Sequence, residues 1–391
     1  MPWLFVGTYP TGGSPGSGEG VWGVPLDTGS GGLGEPSLLV ETASPSFVAL
    51  APSGERLYAV SEQSQGSLAA FAVSATHGTP VLEPRGGASS GGADPCHVVA
   101  LDHELWVSNY SSGTFGVLAL DASGDLVPGA APSTFGHAGS GPVLDRQEGS
   151  HAHSSLPTPC GRFAWVMDLG TDEIRRYRRT RGSRDDGRVS TDSSSVTGST
   201  TGESEVVVGD GIAVAFVPGT GPRHAVIHPG GTAFVVGELD ASVHVVSTDT
   251  SSGSGDPVAS VPACRTPSRD GVRPLPSHLA LSPDGARLYV AVRGPDVVAT
   301  FAVRGGGTLV HEGLAHETPR HATLEHLADT PVGGVWPRHF AVVEADDGAD
   351  LVVVANQESS SLVVLRMDPV TGGGTVVAQA EIPAPACVVV A

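Results

Sequence analysis

Residues with acid, base or anion-binding chemistry recur at two places in this chain: the start of an apolar segment and the end of the next one. His151, His153, Arg223 and His224 begin such segments, and Glu238 ends one. Imidazole and carboxyl groups transfer protons, and the guanidinium fork of arginine binds carboxylate or phosphate. The pattern therefore predicts a site that binds an anionic small molecule and transfers protons to or from it.

These residues belong to a hairpin that occurs six times. Each copy opens with Pro or His, and contains two apolar runs that in four copies are separated by Pro, one small or acidic residue, and Gly, which is turn chemistry. A third apolar run follows each hairpin, so every copy supplies at least three antiparallel strands. The copies begin at Pro45, Pro95, His151, Pro222, Pro276 and Pro337.

The spacing of the copies predicts a ring of blades. They start about 50 to 70 residues apart, within or above the range of propeller repeats. Segments 4–9 and 19–27 form an incomplete seventh copy. With 54 Gly and 31 Pro in 391 residues and no long 3.6-residue apolar stripe, long helices are excluded. We predict an all-β chain, a single seven-bladed β-propeller domain over residues 1–391 with mainly four-stranded antiparallel blades, whose N-terminal strand closes the last blade.

Hairpin geometry predicts where the polar residues gather. The start of the first strand and the end of the second share a rim, so the polar ends of all copies surround one mouth of the central channel. Besides the catalytic candidates His151, His153, Arg223, Glu238 and Arg293, the predicted substrate-binding residues are Glu62, His97, Asn109, Asp168, His224, His278, Arg338, His339 and Asn356. Each histidine can instead bond to a neighbouring loop, and the arginines can pair with carboxylates such as Glu238.

Charge and cysteine content limit the partners. The net charge is −20 and the chain has no lysine. The sequence therefore lacks the basic surface that binds a phosphate backbone, and nucleic acid is not an expected partner. Four scattered cysteines form neither a zinc motif nor a disulfide framework. The N-terminus lacks signal-peptide features and no run of 18 apolar residues occurs, so we expect a cytoplasmic protein without membrane contact.

Two segments depart from the repeat. Residues from about 180 to 205 are rich in Ser, Thr, Gly and Asp, which predicts a disordered surface insertion. A shorter Ser/Gly stretch, Thr248 to Asp256, is predicted to be a loop.

The stretch 141–177, "GPVLDRQEGSHAHSSLPTPCGRFAWVMDLGTDEIRRY", together with the copies containing "PRHAVIHPGG" and "WPRHFAVV", resembles the lactonase family of seven-bladed propellers. That family includes propeller-type 6-phosphogluconolactonases and carboxy-cis,cis-muconate cyclases. The resemblance covers nearly the whole chain and implies a lactone hydrolase of carbohydrate metabolism, acting in the pentose phosphate pathway. It places the family's functional residues on His151 or His153, Arg223, Glu238 and Arg293. Gly237 and Val292 stand where the family commonly has Asn.

Opening a lactone with water needs a base, a donor for the oxyanion and an acid for the leaving alkoxide. One of the two histidines and Glu238 can share the acid and base roles if partial burial raises the pKa of Glu238. Arg223 and Arg293 can hold a substrate anion or the oxyanion. No serine lies in a strand-to-helix elbow, so we expect direct hydrolysis. No cofactor or metal is expected; the alternative is a divalent ion on His151, His153 and Asp168.

Three functional interpretations stay open at this point. The first is hydrolysis of a sugar-derived lactone such as 6-phosphogluconolactone by a monomer or homodimer whose partner is a small anionic lactone or sugar acid. The others are a muconate-type lactonising cyclase and a non-catalytic propeller that binds a small anion or a partner protein. The combination of His, Arg, Glu and Arg at the four positions favours the enzyme.

Overall fold

The computed structural model describes residues 1–10, 20–181, 205–269, 271–305 and 321–391. Within these ranges the chain forms strands, turns and bends, with no helix. The strands form seven sheets of four strands each, and every neighbouring pair is antiparallel. The predicted seven-bladed β-propeller is confirmed.

The first three strands, with the last strand of the chain, form one blade, here called the closing blade. The chain begins with β1 (Trp3–Thr8), β2 (Val21–Pro25) and β3 (Ser37–Val40). Blade 1 is β4 (Val48–Leu50), β5 (Arg56–Ser61), β6 (Ser67–Thr76) and β7 (Thr79–Ser89). Blade 2 is β8 (Pro95–Ala100), β9 (Glu104–Asn109), β10 (Thr114–Ala119) and β11 (Ser133–Gly136).

The next four blades repeat this order, with the first strand of each innermost. Blade 3 is β12 (Ala152–Pro157), β13 (Phe163–Asp168), β14 (Glu173–Arg181) and β15 (Glu205–Ala215). Blade 4 is β16 (Pro222–Ile227), β17 (Thr232–Gly237), β18 (Ser242–Asp249) and β19 (Ser254–Pro262). Blade 5 is β20 (Leu275–Leu281), β21 (Arg287–Arg293), β22 (Val297–Arg304) and β23 (Thr323–Pro331). Blade 6 is β24 (Pro337–Glu344), β25 (Asp350–Asn356), β26 (Ser361–Met367) and β27 (Gly374–Glu381).

The ring is closed by the two ends of the chain. The last strand, β28 (Pro385–Val390), is the innermost strand of the closing blade and pairs antiparallel with β1, with Phe5 opposite Val389. The predicted closure by the N-terminal strand is therefore confirmed. Closure leaves each blade packed between two neighbours, so the apolar faces of all seven sheets are buried.

Apolar side chains fill the spaces between adjacent blades. Leu4 of the closing blade packs in one cluster with Val353 of blade 6, and Phe234 of blade 4 packs with Val290 of blade 5. Strands buried on both faces read as nearly continuous apolar runs, which explains why the second run of each hairpin contains almost no polar residue before its end.

Six of the seven innermost strands bulge close to their start. The pairing of β8 with β9 shifts between Pro95 and His97, and β16 with β17 shifts in the same way between Pro222 and His224. The same irregularity occurs in β12, β20 and β24. In the closing blade it occurs where β1 pairs with β28. A bulge sets two residues opposite one, so two consecutive side chains face the channel instead of alternating.

The bulges build two rings of side chains around the channel. The bulge ring, nearer the mouth, consists of Ser46, Cys96, His153, Arg223, Ser277, Arg338 and Ala386. The lower ring, one residue further along each strand, consists of Phe47, His97, Ser154, His224, His278, His339 and Cys387. A small cavity between them is lined by consecutive pairs from both rings, such as Arg223 with His224 and Arg338 with His339.

Hydrogen bonds from ring residues join the innermost strands of neighbouring blades. The Ser154 hydroxyl donates to the Arg223 carbonyl at 2.6 Å, and the Arg223 guanidinium donates to the Ser277 carbonyl. Ser277 in turn donates to the carbonyl of Pro337 at 2.6 Å. Blades 3 to 6 are thereby linked through the same residues that line the channel.

One predicted loop differs from the structure, and most of the predicted insertion lies outside the described residues. The stretch predicted as a loop from Thr248 to Asp256 is mostly strand, because β18 runs to Asp249 and β19 starts at Ser254. Most of the predicted insertion, residues 182–204, lies outside the described residues, whereas its flanks belong to β14 and β15. All four cysteines are free, with Cys160 exposed. None of the described residues forms a helix that could cross a bilayer.

Closure of the ring predicts a sensitive position at Gly7 of β1. A Cβ atom there would overlap the Pro45 carbonyl oxygen of the neighbouring blade. We expect Gly7→Ala to reduce the free energy of unfolding by about 1–3 kcal/mol, the usual cost of overpacking. Gly373→Ala, where the nearest atom to a new Cβ lies at 3.5 Å, is the matched control. Chemical denaturation of both variants measures the effect, and equal stability would contradict this account of the closure.

Candidate functional site

Glu238 is the centre of the charged site at the channel mouth. It directly follows β17, and only 2% of the residue is exposed. Its Oε2 lies 2.8 Å from Arg223 Nε and 2.8 Å from Arg293 Nη2, and its Oε1 lies 2.6 Å from Arg146 Nη2. The structure therefore brings together three of the predicted residues, Arg223, Glu238 and Arg293, and adds a third arginine to them.

This surrounding keeps Glu238 ionised. Burial alone would raise the pKa of the carboxyl group, but the charges of Arg293, Arg223 and Arg146 hold it well below its ordinary value. The expectation of a raised pKa was wrong, because burial here comes with three guanidinium partners from distant parts of the chain. Glu238 is thus a fixed negative charge at neutral pH rather than a proton donor.

Arg146 was missed by the strand-based reasoning. It lies in the loop before β12, and its Nη2 also lies 3.3 Å from the Tyr110 hydroxyl. The neighbouring Gln147, with no exposed surface, fixes this loop by donating to the Leu169 carbonyl and to Asp172 Oδ1, each at 2.8 Å. Arg146 stands inside the stretch that resembles the lactonase family, which was the signal available in the sequence.

The two candidate histidines have different surroundings. The ring of His151 stacks on Tyr110 with centroids 4.4 Å apart, and its Nδ1 lies 3.0 Å from the Tyr110 carbonyl oxygen, which assigns the proton to Nδ1. His153 belongs to the bulge ring and is 6% exposed. Burial and the charge of Arg223 hold the pKa of His153 well below its ordinary value, while Glu238 acts in the opposite direction. His153 therefore lies within electrostatic reach of the Glu238 network.

The alternative metal site is not assembled. Asp168 Oδ1 accepts hydrogen bonds from the backbone amides of His151 at 2.9 Å and Gly170 at 3.0 Å. Its Oδ2 lies 3.5 Å from Nε2 of His137. In the described part of the chain, no three His, Cys, Asp or Glu side chains are arranged to hold a metal ion.

A second polar network lies at the mouth beside blades 1 and 6. Arg338 donates to the Tyr9 hydroxyl at 2.6 Å, and Tyr9 donates to Glu62 Oε2 at 2.5 Å. The Ser46 hydroxyl donates to the same carboxylate oxygen. The Arg338 guanidinium also lies over the Tyr9 ring, 4.7 Å from its centroid. Arg338 thus lines the channel cavity, and Glu62 is joined to it by a tyrosine that was missed.

Four of the seven lower-ring residues are histidines, and their imidazoles are neutral at pH 7. His224 Nδ1 lies 2.9 Å from His278 Nδ1, and the rings of His278 and His339 stack at 3.9 Å. Burial and nearby positive charge lower the pKa of His97 and of His339 from 6.5 to about 3. Burial also holds the pKa values of His224 and His278 well below the ordinary value.

Three other predicted substrate ligands are buried within their blades. The Asn109 amide donates to the Ser90 carbonyl at 3.1 Å, and the Asn356 amide donates to the Val332 carbonyl at 3.4 Å. Asp168 accepts from backbone amides as described above. The Asp168 contacts hold the turn that follows its strand, whereas the two amide contacts reach carbonyls that directly follow β7 and β23 of the preceding blades. That the three side chains also bind substrate stays a prediction.

The two positions that lack the usual Asn are filled differently. At Gly237, a Cβ would overlap Asp240 Oδ1, so the Asp240 carboxylate takes the space that a longer side chain would occupy. Asp240 Oδ1 also accepts from the Ser242 amide at 3.1 Å, a bond of the same turn-holding kind. At Val292, which is fully buried, Asp296 serves the turn by accepting from the Gly294 and Trp336 amides.

The mouth is positively charged in an acidic protein. The networks of Glu238 and Glu62 contain two carboxylates and four guanidinium groups, from Arg146, Arg223, Arg293 and Arg338, a net charge of +2. The neutral histidines do not alter this balance. The local field therefore favours an anion, although the whole chain carries −20.

Fold and site together define a seven-bladed β-propeller with an anion-attracting channel mouth. The chain matches the family model "Lactonase, 7-bladed beta-propeller" over residues 3–390, and it belongs to this family. It is 29% identical over 389 residues to the 6-phosphogluconolactonase of Bacillus subtilis, covering 98% of this chain and 97% of that protein. It is also 29% identical over 381 residues to the 6-phosphogluconolactonase of Formosa agariphila, covering 94% and 93% of the two chains. A solved structure of a periplasmic gluconolactonase from Pseudomonas aeruginosa superposes with a TM-score of 0.75 at 25% identity, covering 100% of this chain and 98% of that one.

The buried histidines predict loss of stability in acid. A histidine with a lowered native pKa stabilises the fold above pH 6.5 and loses that contribution as the pH falls toward the native value of about 3. Each such group adds up to about 1.4 kcal/mol per pH unit to the slope of unfolding free energy. The variant His97→Phe copies Phe47 of the same ring and removes one such group. Between pH 7 and 5 we expect it to reduce the slope by up to about 1.4 kcal/mol per pH unit, the contribution of one bound proton. Exposed His103→Phe is the control, and equal slopes in urea titrations of both variants would contradict the prediction.

Proposed function

We propose that this protein is a lactonase that hydrolyses a small anionic sugar lactone of the 6-phosphogluconolactone kind. The observation that carries the proposal is the cluster at the mouth, where Glu238 and His153 stand among guanidinium groups. The names of its relatives in Bacillus subtilis and Formosa agariphila support the same chemistry.

The base in the proposed reaction is His153. An imidazole that is neutral at pH 7 can accept a proton from water as that water attacks the lactone carbonyl. Glu238, ionised and nearby, favours the imidazolium that forms, as a carboxylate does beside the histidine of a catalytic triad. The same imidazolium then returns the proton to the leaving alkoxide. One histidine thus serves as base and acid, and Glu238 contributes charge rather than a proton.

The oxyanion in this scheme is stabilised by arginine. Arg223 is 3% exposed, and in the hydrogen-bond geometry its Nε proton is not aligned with Glu238 although the two atoms are 2.8 Å apart. A carbonyl oxygen that becomes negative beside this group gains a donor in a site with little water. Arg293, whose guanidinium lies 5.3 Å from the centroid of the Trp336 ring, is held in place to support the same charge.

A second candidate function is anion binding without turnover. It is favoured by the low pKa of His153, which makes the imidazole a weak base in the free protein. A lactonising cyclase of the muconate type would use the same groups in the reverse direction. Assays of turnover separate these possibilities.

We expect purified protein to hydrolyse 6-phosphogluconolactone well above the spontaneous rate, followed as acid release at constant pH. His153→Gln should lower kcat by about 10²–10⁴-fold, the usual contribution of a general base. His151→Gln is the matched comparison; because His151 packs against Tyr110 and binds its backbone, we expect lower stability but a much smaller loss of kcat. A larger loss in His151→Gln would reverse the assignment, and wild-type protein no faster than buffer would refute the enzyme.

Glu238→Gln keeps the size of the side chain but leaves three guanidinium groups without their carboxylate. We expect a loss of stability of about 3–5 kcal/mol, as for other broken buried ion pairs, and a fall in kcat of at least about 100-fold. Glu104→Gln is the control, because Glu104 is also buried and ion-paired, with Arg179 at 3.0 Å, but begins β9 at the opposite rim. It should lose stability and keep kcat. A Glu238→Gln enzyme with kcat within about threefold of wild type would exclude the electrostatic role.

A further inference from the structure

The four arginines at the mouth differ in whether they contact a carboxylate directly. Arg146, Arg223 and Arg293 all contact the one carboxylate of Glu238. Arg338 makes no ion pair with any residue in the described ranges; its one hydrogen bond at the mouth goes to the uncharged Tyr9 hydroxyl. Of the four, it is the guanidinium whose donors are not committed to a carboxylate.

We propose that Arg338, backed by Tyr9 and Glu62, is the subsite that binds the phosphate of a phosphorylated lactone. This inference rests on the proposed function and assigns its specificity to a group outside the Glu238 cluster. It replaces the expectation that Arg293 is the anion clamp, since the Arg293 guanidinium is committed to Glu238 Oε2 and to the Leu275 carbonyl.

The position of Arg338 fits a two-point contact with one small molecule. Arg338 and Arg223 line the same cavity, together with Ser46, Cys96, His224 and His339. A ligand whose carbonyl lies beside Arg223 and His153 can therefore reach Arg338 with a second group. No carboxylate is among the residues that line this cavity; those of Glu62 and Glu238 lie behind the lining residues Ser46 and Arg223.

Tyr9 and Glu62 orient the arginine without neutralising it by direct contact. The tyrosine hydroxyl accepts from Arg338 and donates to Glu62, which separates the two charged groups by one side chain. The Tyr9 ring lies against the guanidinium face, which fixes its plane. A planar fork held in this way is suited to two parallel hydrogen bonds to a phosphate, a geometry that lysine cannot copy.

The test compares phosphorylated and plain ligands in matched arginine variants. For Arg338→Gln we expect the ratio of kcat/KM for 6-phosphogluconolactone to that for gluconolactone to fall about tenfold or more, mainly through KM, because charge-assisted hydrogen bonds are lost. Arg338→Lys should fall between wild type and Arg338→Gln. Arg293→Gln should lower kcat/KM for both lactones by the same factor. Arg366→Gln, which alters an arginine paired with Asp347 away from the mouth, should leave the ratio unchanged.

A binding measurement separates this proposal from the proposed function. Calorimetric titration with 6-phosphogluconate and with gluconate needs no turnover, and we expect Arg338→Gln to weaken only the first, by about tenfold or more. If wild-type protein hydrolyses neither lactone but shows this selective loss, the enzyme assignment fails and the phosphate subsite stands. If Arg338→Gln is folded by circular dichroism and keeps both the activity ratio and the affinity for 6-phosphogluconate, the subsite is refuted. If Arg338→Gln does not fold, both measurements are made on Arg338→Lys, for which we expect a smaller loss in the same direction. An unchanged activity ratio and an unchanged affinity in that variant would likewise refute the subsite.

Discussion

A bulge close to the start of six innermost strands determines what the channel can contain. In a regular strand successive side chains point to opposite faces, so only alternate residues would reach the channel axis. The extra residue turns the neighbouring side chain inward as well, and the sequence Arg223-His224 therefore presents both a guanidinium and an imidazole to the channel. Because the bulge recurs from blade to blade, the bulge ring with Arg223 and Arg338 lies next to the lower ring with its four histidines, and hydrogen bonds from ring residues connect the blades.

One carboxylate, that of Glu238, offsets the repulsion among three buried guanidinium groups. Three guanidinium groups close together would repel one another, and burial together with the charge of Arg293 lowers the pKa of Arg223. Glu238 contacts all three and keeps the group intact, which is why its own pKa is so low. Buried charge clusters are seldom a gain in stability over apolar packing, so their presence at a channel mouth points to binding or chemistry. The surplus of positive charge gives an anion a local minimum within a protein whose outer surface repels it at long range.

The fold could be predicted from the sequence because its determinants are local. Turn residues such as Pro283 and Gly285 and the apolar run of β21 lie within one hairpin, and the repeat itself supplies the number of blades. The direction of the side chains at the channel mouth was harder to predict from the sequence. The last residue of β9, Asn109, donates to the Ser90 carbonyl, whereas the following residue, Tyr110, contacts Arg146 of the Glu238 network. Comparing the ends of the paired strands could not identify Arg146 either, because the loop that carries it has no counterpart in the other copies of the repeat.

The electrostatic state of the site was the part least accessible to sequence. Whether burial raises or lowers the pKa of a carboxyl group depends on which charges accompany it, and the partners of Glu238 come from a loop and two other strands. The same dependence divides the mouth into two halves. Around Glu238 three guanidinium groups directly contact one carboxylate, which suits a reaction that needs a prearranged field. The Arg338 guanidinium is held by a tyrosine and, among the described residues, contacts no carboxylate directly, which suits recognition of a group that a given lactone carries. A scaffold that keeps the first half and varies the second can serve different lactones without rebuilding its reaction centre.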